Sequence, residues 1–160
     1  MKKDILYIKS KCSLNPIAES YLEEAIVTFN QNCFKAAADM IGGAAESMVL
    51  ELRDILVDKM NKLNKTVPQQ LNDWRVKTIF DQIEKELTFV KKQMPHKLKE
   101  NFDSFWSALF APIRMTRNEA GHPTSVAPVT FESVHANLLI LPELAKLITE
   151  MKDWIVAGYQ

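Results

Sequence analysis

The residues best equipped for chemistry stand close together in "RNEAGHP", Arg117 to Pro123, where a strongly helical pattern runs out. Arginine keeps its charge at any physiological pH and grips phosphate oxygens through a planar fork. Histidine titrates near neutrality and can serve as general acid or base. Asn118 adds a short amide that can orient a ribose, a phosphate or the histidine by hydrogen bonds. Internal cleavage of RNA needs these kinds of group: a base for the ribose 2′-hydroxyl, an acid for the departing 5′-oxygen, and stabilisation of charge on phosphorus.

Position on a helix is the difficulty. Residues five apart on a regular helix point about 140° away from each other, so Arg117 and His122 converge only where the helix stops. Gly121 suits the left-handed position just past a helix end, and Pro123 cannot continue the helix. If the helix unwinds at Gly121, His122 is released toward the arginine's face.

The motif "RNEAGH" resembles that of the HEPN domain family, an arginine, a polar residue, three variable residues and a histidine at a helix end in an all-helical bundle. Arg117, Asn118 and His122 fill those three places. The helical pattern before the motif, the alanine-rich helix entered through "NCFKAAADMIGGAAESMVLELRDIL" and the long closing helix are similar to the family's architecture, so the likeness spans most of the chain. In one respect this chain departs: relatives carry an arginine shortly before the glutamate matching Glu46, where Gly42 and Gly43 stand here. The resemblance implies a metal-independent endoribonuclease without a cofactor, with Arg117, Asn118 and His122 catalytic and Glu46 and Arg114 supporting them.

One motif supplies one histidine, whereas the reaction profits from two proton-transfer groups. A two-fold axis near the motif would set two arginines and two histidines around one phosphate, and the resemblance likewise implies a homodimer with a composite site. Toxins and antiphage-defence effectors belong to the family, which suggests an antitoxin or sensor protein as a further partner. An alternative that the likeness also carries is a non-catalytic module binding nucleotide, RNA or a partner protein. A third reading has Arg117 capping a carboxylate and His122 merely finishing a helix.

The densest basic stretch is "KKQMPHKLK", and Lys91, Lys92, Lys97 and Lys99 are the candidates for gripping RNA; its plainer reading is a solvated face at a helix junction. His96 and His135 pair with no other histidine at helical metal-site spacing. Cys12 and Cys33 lack a CxxC or Cys/His pattern and read as free thiols.

These groups must be positioned by helices. The 160 residues suit one domain, and with 47% apolar residues, 25% charged and four glycines they read as an all-α antiparallel bundle of four to six helices. Lysine plus arginine equals aspartate plus glutamate at 20 each, so no global field gathers polyanions and any nucleic-acid contact is local. The opening "MKKDILYIKSKC" is too soon interrupted by lysine for a signal-peptide core, and "ANLLILPELAKLI" is too short for a membrane span, so a cytoplasmic protein without a membrane partner is expected. Residues 1–13 read as an extended arm.

Asn15-Pro16 signals the start of a first helix, with Leu22, Ala25, Ile26 and Phe29 on its buried face and a break near Asn30 to Asn32. A second helix runs roughly from Cys33 to Leu63. Its paired Gly42 and Gly43, each costing about 1 kcal/mol relative to alanine inside a helix, call for an offset: close approach of another helix backbone, or a kink beside a functional site. Pro68 breaks the chain in "NKTVPQQ". A third helix buries Trp74, Ile79, Phe80, Ile83, Leu87 and Val90 and ends at Met94-Pro95. The fourth carries Leu98, Phe102, Phe105, Trp106, Leu109 and Ile113 inward. "HPTSVAPVT" reads as a loop. Thr130 caps the last helix, whose stripe includes Leu138, Leu141, Leu144, Ala145, Ile148, Met151 and Ile155, with Pro142 kinking or dividing it.

Overall fold

The computed structural model describes residues 10, 13–122 and 129–160. All of the expected N-terminal arm but Ser10 and Ser13, with Cys12 in it, and most of the loop after His122 lie outside the described residues. Among those described, five α-helices and two short 3-10 turns make up the regular structure, with no strand: α1 (Pro16–Asn30), α2 (Phe34–Lys62), a turn at Gln69–Asn72, α3 (Val76–Val90), a turn at Lys91–Gln93, α4 (His96–Gly121) and α5 (Phe131–Gly158).

The starts of α1 and α5 follow from their caps. The Asn15 side chain accepts a hydrogen bond from the Ala18 amide at 2.9 Å, with Pro16 in the first turn. Thr130 accepts from the Ser133 amide at 3.2 Å. Both satisfy amides that a helix start leaves without partners. The link from α1 to α2 turns on Asn32, whose φ of 60° is left-handed, a conformation that asparagine tolerates better than most residues.

The 29-residue α2 is about 43 Å long at 1.5 Å per residue and is the centre of the bundle. α1, α3, α4 and α5 all pack on it, and α4 and α5 also pack on each other. Ala37, Ala38, Ile41, Ala44, Ala45, Met48, Val49, Leu52, Leu56 and Met60 are buried along it. So many alanines let the surrounding helices approach closely. A second cluster seats Phe80 of α3 against Trp106 and Phe110 of α4, each with ring centroids 4.3 Å apart.

Three expectations are corrected and a fourth is narrowed. Trp74 is not on the buried face of a helix: α3 starts two residues later, and the ring is 87% exposed. Phe105, on the shoulder of the α4 stripe, is 48% exposed. Of the two outcomes expected at Pro142, a kink or a division, the division is absent, since the proline is buried within a continuous α5. Gly121 takes no left-handed conformation; it is the last helical residue, and the break falls at His122, with φ −84° and ψ 113°. The sequence supplies the reason. A proline forces the residue before it away from helical geometry toward extended backbone, so Pro123 ends the helix at His122.

No helix among the described residues is long and apolar enough to cross a membrane.

Candidate functional site

The site is assembled between α4 and α2. On α4, Arg114, Arg117, Asn118 and Gly121 follow the spacing 0, 3, 4 and 7, which puts them on one face. On α2, Asp39, Gly42 and Glu46 follow 0, 3 and 7 and form the opposing stripe. This stripe is a carboxylate, a gap and a carboxylate.

The gap is filled by Arg117. A β-carbon built on Gly42 would stand 2.2 Å from the Arg117 Cδ, 2.7 Å from its Cγ and 2.9 Å from its Cβ. The arginine stem lies directly on the helix backbone, where only glycine leaves room. Its guanidinium then reaches one turn along α2, and Nη1 donates to Oε1 of Glu46 in an ion pair. Gly43 serves a different neighbour, because a β-carbon there would meet the Tyr21 ring of α1 at 2.7 Å. The two glycines therefore admit two side chains on adjacent faces of α2, in place of the expected approach of a helix backbone, and α2 runs helical through both.

His122 reaches the arginine's face although the helix does not unwind at Gly121. Once its own backbone is extended, it lines a hollow of about 430 Å³ together with Asp39, Arg117, Asn118 and Gly121. Asn118, Gly121 and His122 are exposed, and Arg117 and Asp39 are half-buried, so the hollow opens to solvent. The motif's three residues are thus brought to one place. Asp39 is an addition that the sequence reading lacked: its Oδ1 is the nearest outside atom to the Gly121 Cβ position, at 3.9 Å. The signal available was its spacing of three and seven from Gly42 and Glu46, which gains meaning only once Arg117 is known to lie across α2.

The two supporting residues also border Arg117. Glu46 holds the guanidinium, and Arg114 lines a second hollow, of about 510 Å³, with Glu46, Arg117 and Asn118. Arg114 forms no hydrogen bond or ion pair among the described residues. A third hollow beyond Gly43 is lined by Tyr21, Glu46, Ser47, Glu51 and Arg117. Arg117 thus stands where three concavities meet. Around that third hollow a hydrogen-bonded group ties α1 to α2: Asn15 donates to Glu51 at 3.1 Å and accepts from the Ser47 hydroxyl at 3.0 Å, and Lys152 of α5 pairs with Glu51 at 3.0 Å.

No protein-family model, curated protein or solved structure matches the chain. The likeness to HEPN domains rests on the motif and its helical setting.

The basic stretch is elsewhere. Lys97 and Lys99 are in the first turns of α4 while Arg117 is in its last, about 27 Å of helix separating Lys99 from Arg117 at 1.5 Å per residue. Lys91 pairs with Asp103 at 3.1 Å, Lys92 is exposed, and Lys97 borders a groove with Phe105, Lys146 and Glu150 between α4 and α5. These lysines form no part of the motif's hollow. Among the described residues, no three His, Cys, Asp or Glu side chains are grouped closely enough to hold a metal ion.

Proposed function

We propose that the chain is a metal-independent endoribonuclease of the HEPN kind, cleaving RNA by attack of a ribose 2′-hydroxyl on the adjacent phosphorus. The observation that carries the reading is the convergence of Arg117, Asn118 and His122 on one open hollow, with the arginine stem seated on Gly42 and its head held by Glu46. The guanidinium, fixed in direction before substrate arrives, neutralises charge building on the phosphate oxygens. His122 transfers a proton. A partner's His122 across a two-fold axis supplies the second transfer, so the working form is a homodimer, and a toxin or antiphage-defence effector held by an antitoxin or sensor is its biological setting. The exposure of Asn118 and His122 supports this, since a composite site needs the motif at the surface.

The alternative is a non-catalytic module binding nucleotide, RNA or protein, and the ion pair also fits the third reading, in which Arg117 only caps a carboxylate, here Glu46. Magnitude weighs against a purely stabilising role. Arg117 is 37% exposed and Glu46 22%, and pairs of this kind contribute at most about 1 kcal/mol, a small return for a glycine at position 42.

The deciding experiment incubates the protein with single-stranded RNA in EDTA and analyses the ends formed. The enzyme reading expects 2′,3′-cyclic phosphate ends, lost in Arg117→Ala and His122→Ala variants that keep their helical circular dichroism. RNA bound and left intact selects the module. Intact RNA with no binding removes the ribonuclease and any RNA-binding module, and a loss of stability in Arg117→Ala would then select the structural role.

A further inference from the structure

The hollow on the Arg114 side of the site is rich in positive charge. Besides Trp74, its lining sets the cationic side chains of Arg75, Lys77, Arg114 and Arg117 against one carboxylate, Glu46, in a chain whose net charge is zero. Arg75 and Lys77 hold Asp73 and Asp81, which are not in the lining. Arg114 holds no partner among the described residues. At the rim stands Trp74, 87% exposed, whereas the chain's other tryptophans, Trp106 and Trp154, are 1% and 8% exposed.

Exposing an indole is unfavourable by the hydrophobic effect, and this one is held out on a stiffened turn. Asp73 accepts from the Arg75 amide at 2.8 Å, from its Nε at 3.0 Å and from its Nη2 at 2.8 Å. The residue between those two clamped neighbours is Trp74. An aromatic face on a rigid support, next to guanidinium groups and continuous with a phosphate-gripping site, matches the chemistry by which single-stranded nucleic acid is held: bases stack on rings while phosphates meet cations.

We propose that this hollow is a subsite for single-stranded RNA, in which a base flanking the reacting phosphate stacks on Trp74 and the phosphate between them is gripped by Arg114. The inference rests on the ribonuclease reading for its choice of RNA. It differs from the sequence expectation in placing the grip beside the motif and not on Lys91 to Lys99.

The test uses a fluorescein-labelled ten-nucleotide single-stranded RNA with 2′-O-methyl riboses throughout, which removes the attacking hydroxyl. Affinity is read by anisotropy in EDTA over a salt series. Trp74→Ala is expected to weaken binding about tenfold, Trp74→Phe to stay within about threefold because a ring remains, and Arg114→Gln to lower the salt slope by about one. Acrylamide quenching of tryptophan emission should fall when the RNA is bound. The subsite is overturned if Trp74→Ala binds like the parent, if Trp74→Phe loses as much as Trp74→Ala, if a duplex of the same sequence binds as tightly, or if the parent binds no RNA. Trp74-dependent binding in a protein that leaves unmodified RNA intact would keep the subsite and end the nuclease reading. Cleavage indifferent to Trp74 would do the reverse.

Discussion

A single missing methyl group at position 42 governs where Arg117 can lie. Gly42→Ala removes the helix penalty of glycine, about 1 kcal/mol, but drives a β-carbon into the Cβ to Cδ stem of the arginine. Those atoms are not the free end of the side chain and cannot swing aside alone. The expected outcome is a melting temperature changed by no more than a few degrees and, on the proposed ribonuclease reading, RNA cleavage reduced about a hundredfold, the scale of loss when a reacting group is displaced by an ångström. Gly43→Ala separates the two effects. There the obstacle is the Tyr21 ring, so overpacking of about 1 to 3 kcal/mol outweighs or cancels the same helix gain of about 1 kcal/mol, and the variant should be no more stable than the parent in chemical denaturation while Arg117 keeps its seat. Equal losses of activity in the two variants would remove the special role given to Gly42.

At the scale of elements, the caps and the clamped turn carry the predictions. Asn15 caps α1 and also ties it to Ser47 and Glu51 of α2. Asn15→Ala should therefore cost at least the roughly 1 kcal/mol of an ordinary cap, measured by urea denaturation. The turn bearing Trp74 has its own pH signature. Hydrogen bonds from the Arg75 side chain and amide hold the Asp73 carboxyl well below its ordinary 3.8, at about 2. A carboxylate whose pKa is depressed by folding stabilises the native state fully above its unfolded value and loses that contribution as pH falls through its folded value. Asp73→Asn should thus melt below the parent at pH 6, and the difference should close between pH 4 and 2. A difference unchanged at pH 2 would show that the clamp does not depend on ionised Asp73.

Legibility in the sequence divided along the same lines. Helix starts were readable where one side chain satisfies nearby amides, as at Asn15 and Thr130, because that interaction spans three residues. At Pro142 the local pattern left a kink and a division both open; that α5 stays continuous there goes with the burial of Leu141, Pro142, Leu144 and Ala145, which no local pattern records. Trp74 misled for a related reason: an aromatic residue just ahead of the apolar positions Ile79, Phe80 and Ile83 reads as the start of their helix, but the Asp73–Arg75 clamp delays α3 until Val76. The motif's residues were legible by type, while Asp39 and the purpose of Gly42 depend on contacts between positions 71 to 82 residues apart.

For the whole molecule, the decisive quantity is association. If two motifs must share one phosphate, cleavage per protomer should fall on dilution below the dimer's dissociation constant, and sedimentation velocity should find the dimer at micromolar concentration. Constant specific activity from micromolar to low nanomolar, in a chain that sediments as a monomer, would exclude the shared site. The zero net charge makes a further point at this scale. If the chain binds RNA, the attraction must come from local concavities, so raising the salt should weaken binding with the modest slope of a few phosphate contacts.

The sequence by itself determined the helices, most of their ends and the residue types that could do chemistry, because apolar periodicity, capping and the restriction before proline all act within a turn or two. Only the tertiary structure decided that Arg117 crosses α2 at Gly42 to meet Glu46, that Asp39 joins the motif's hollow, and that Trp74 faces solvent beside Arg114. Those outcomes depend on which helix faces pack together, and packing joins residues that the chain itself keeps far apart.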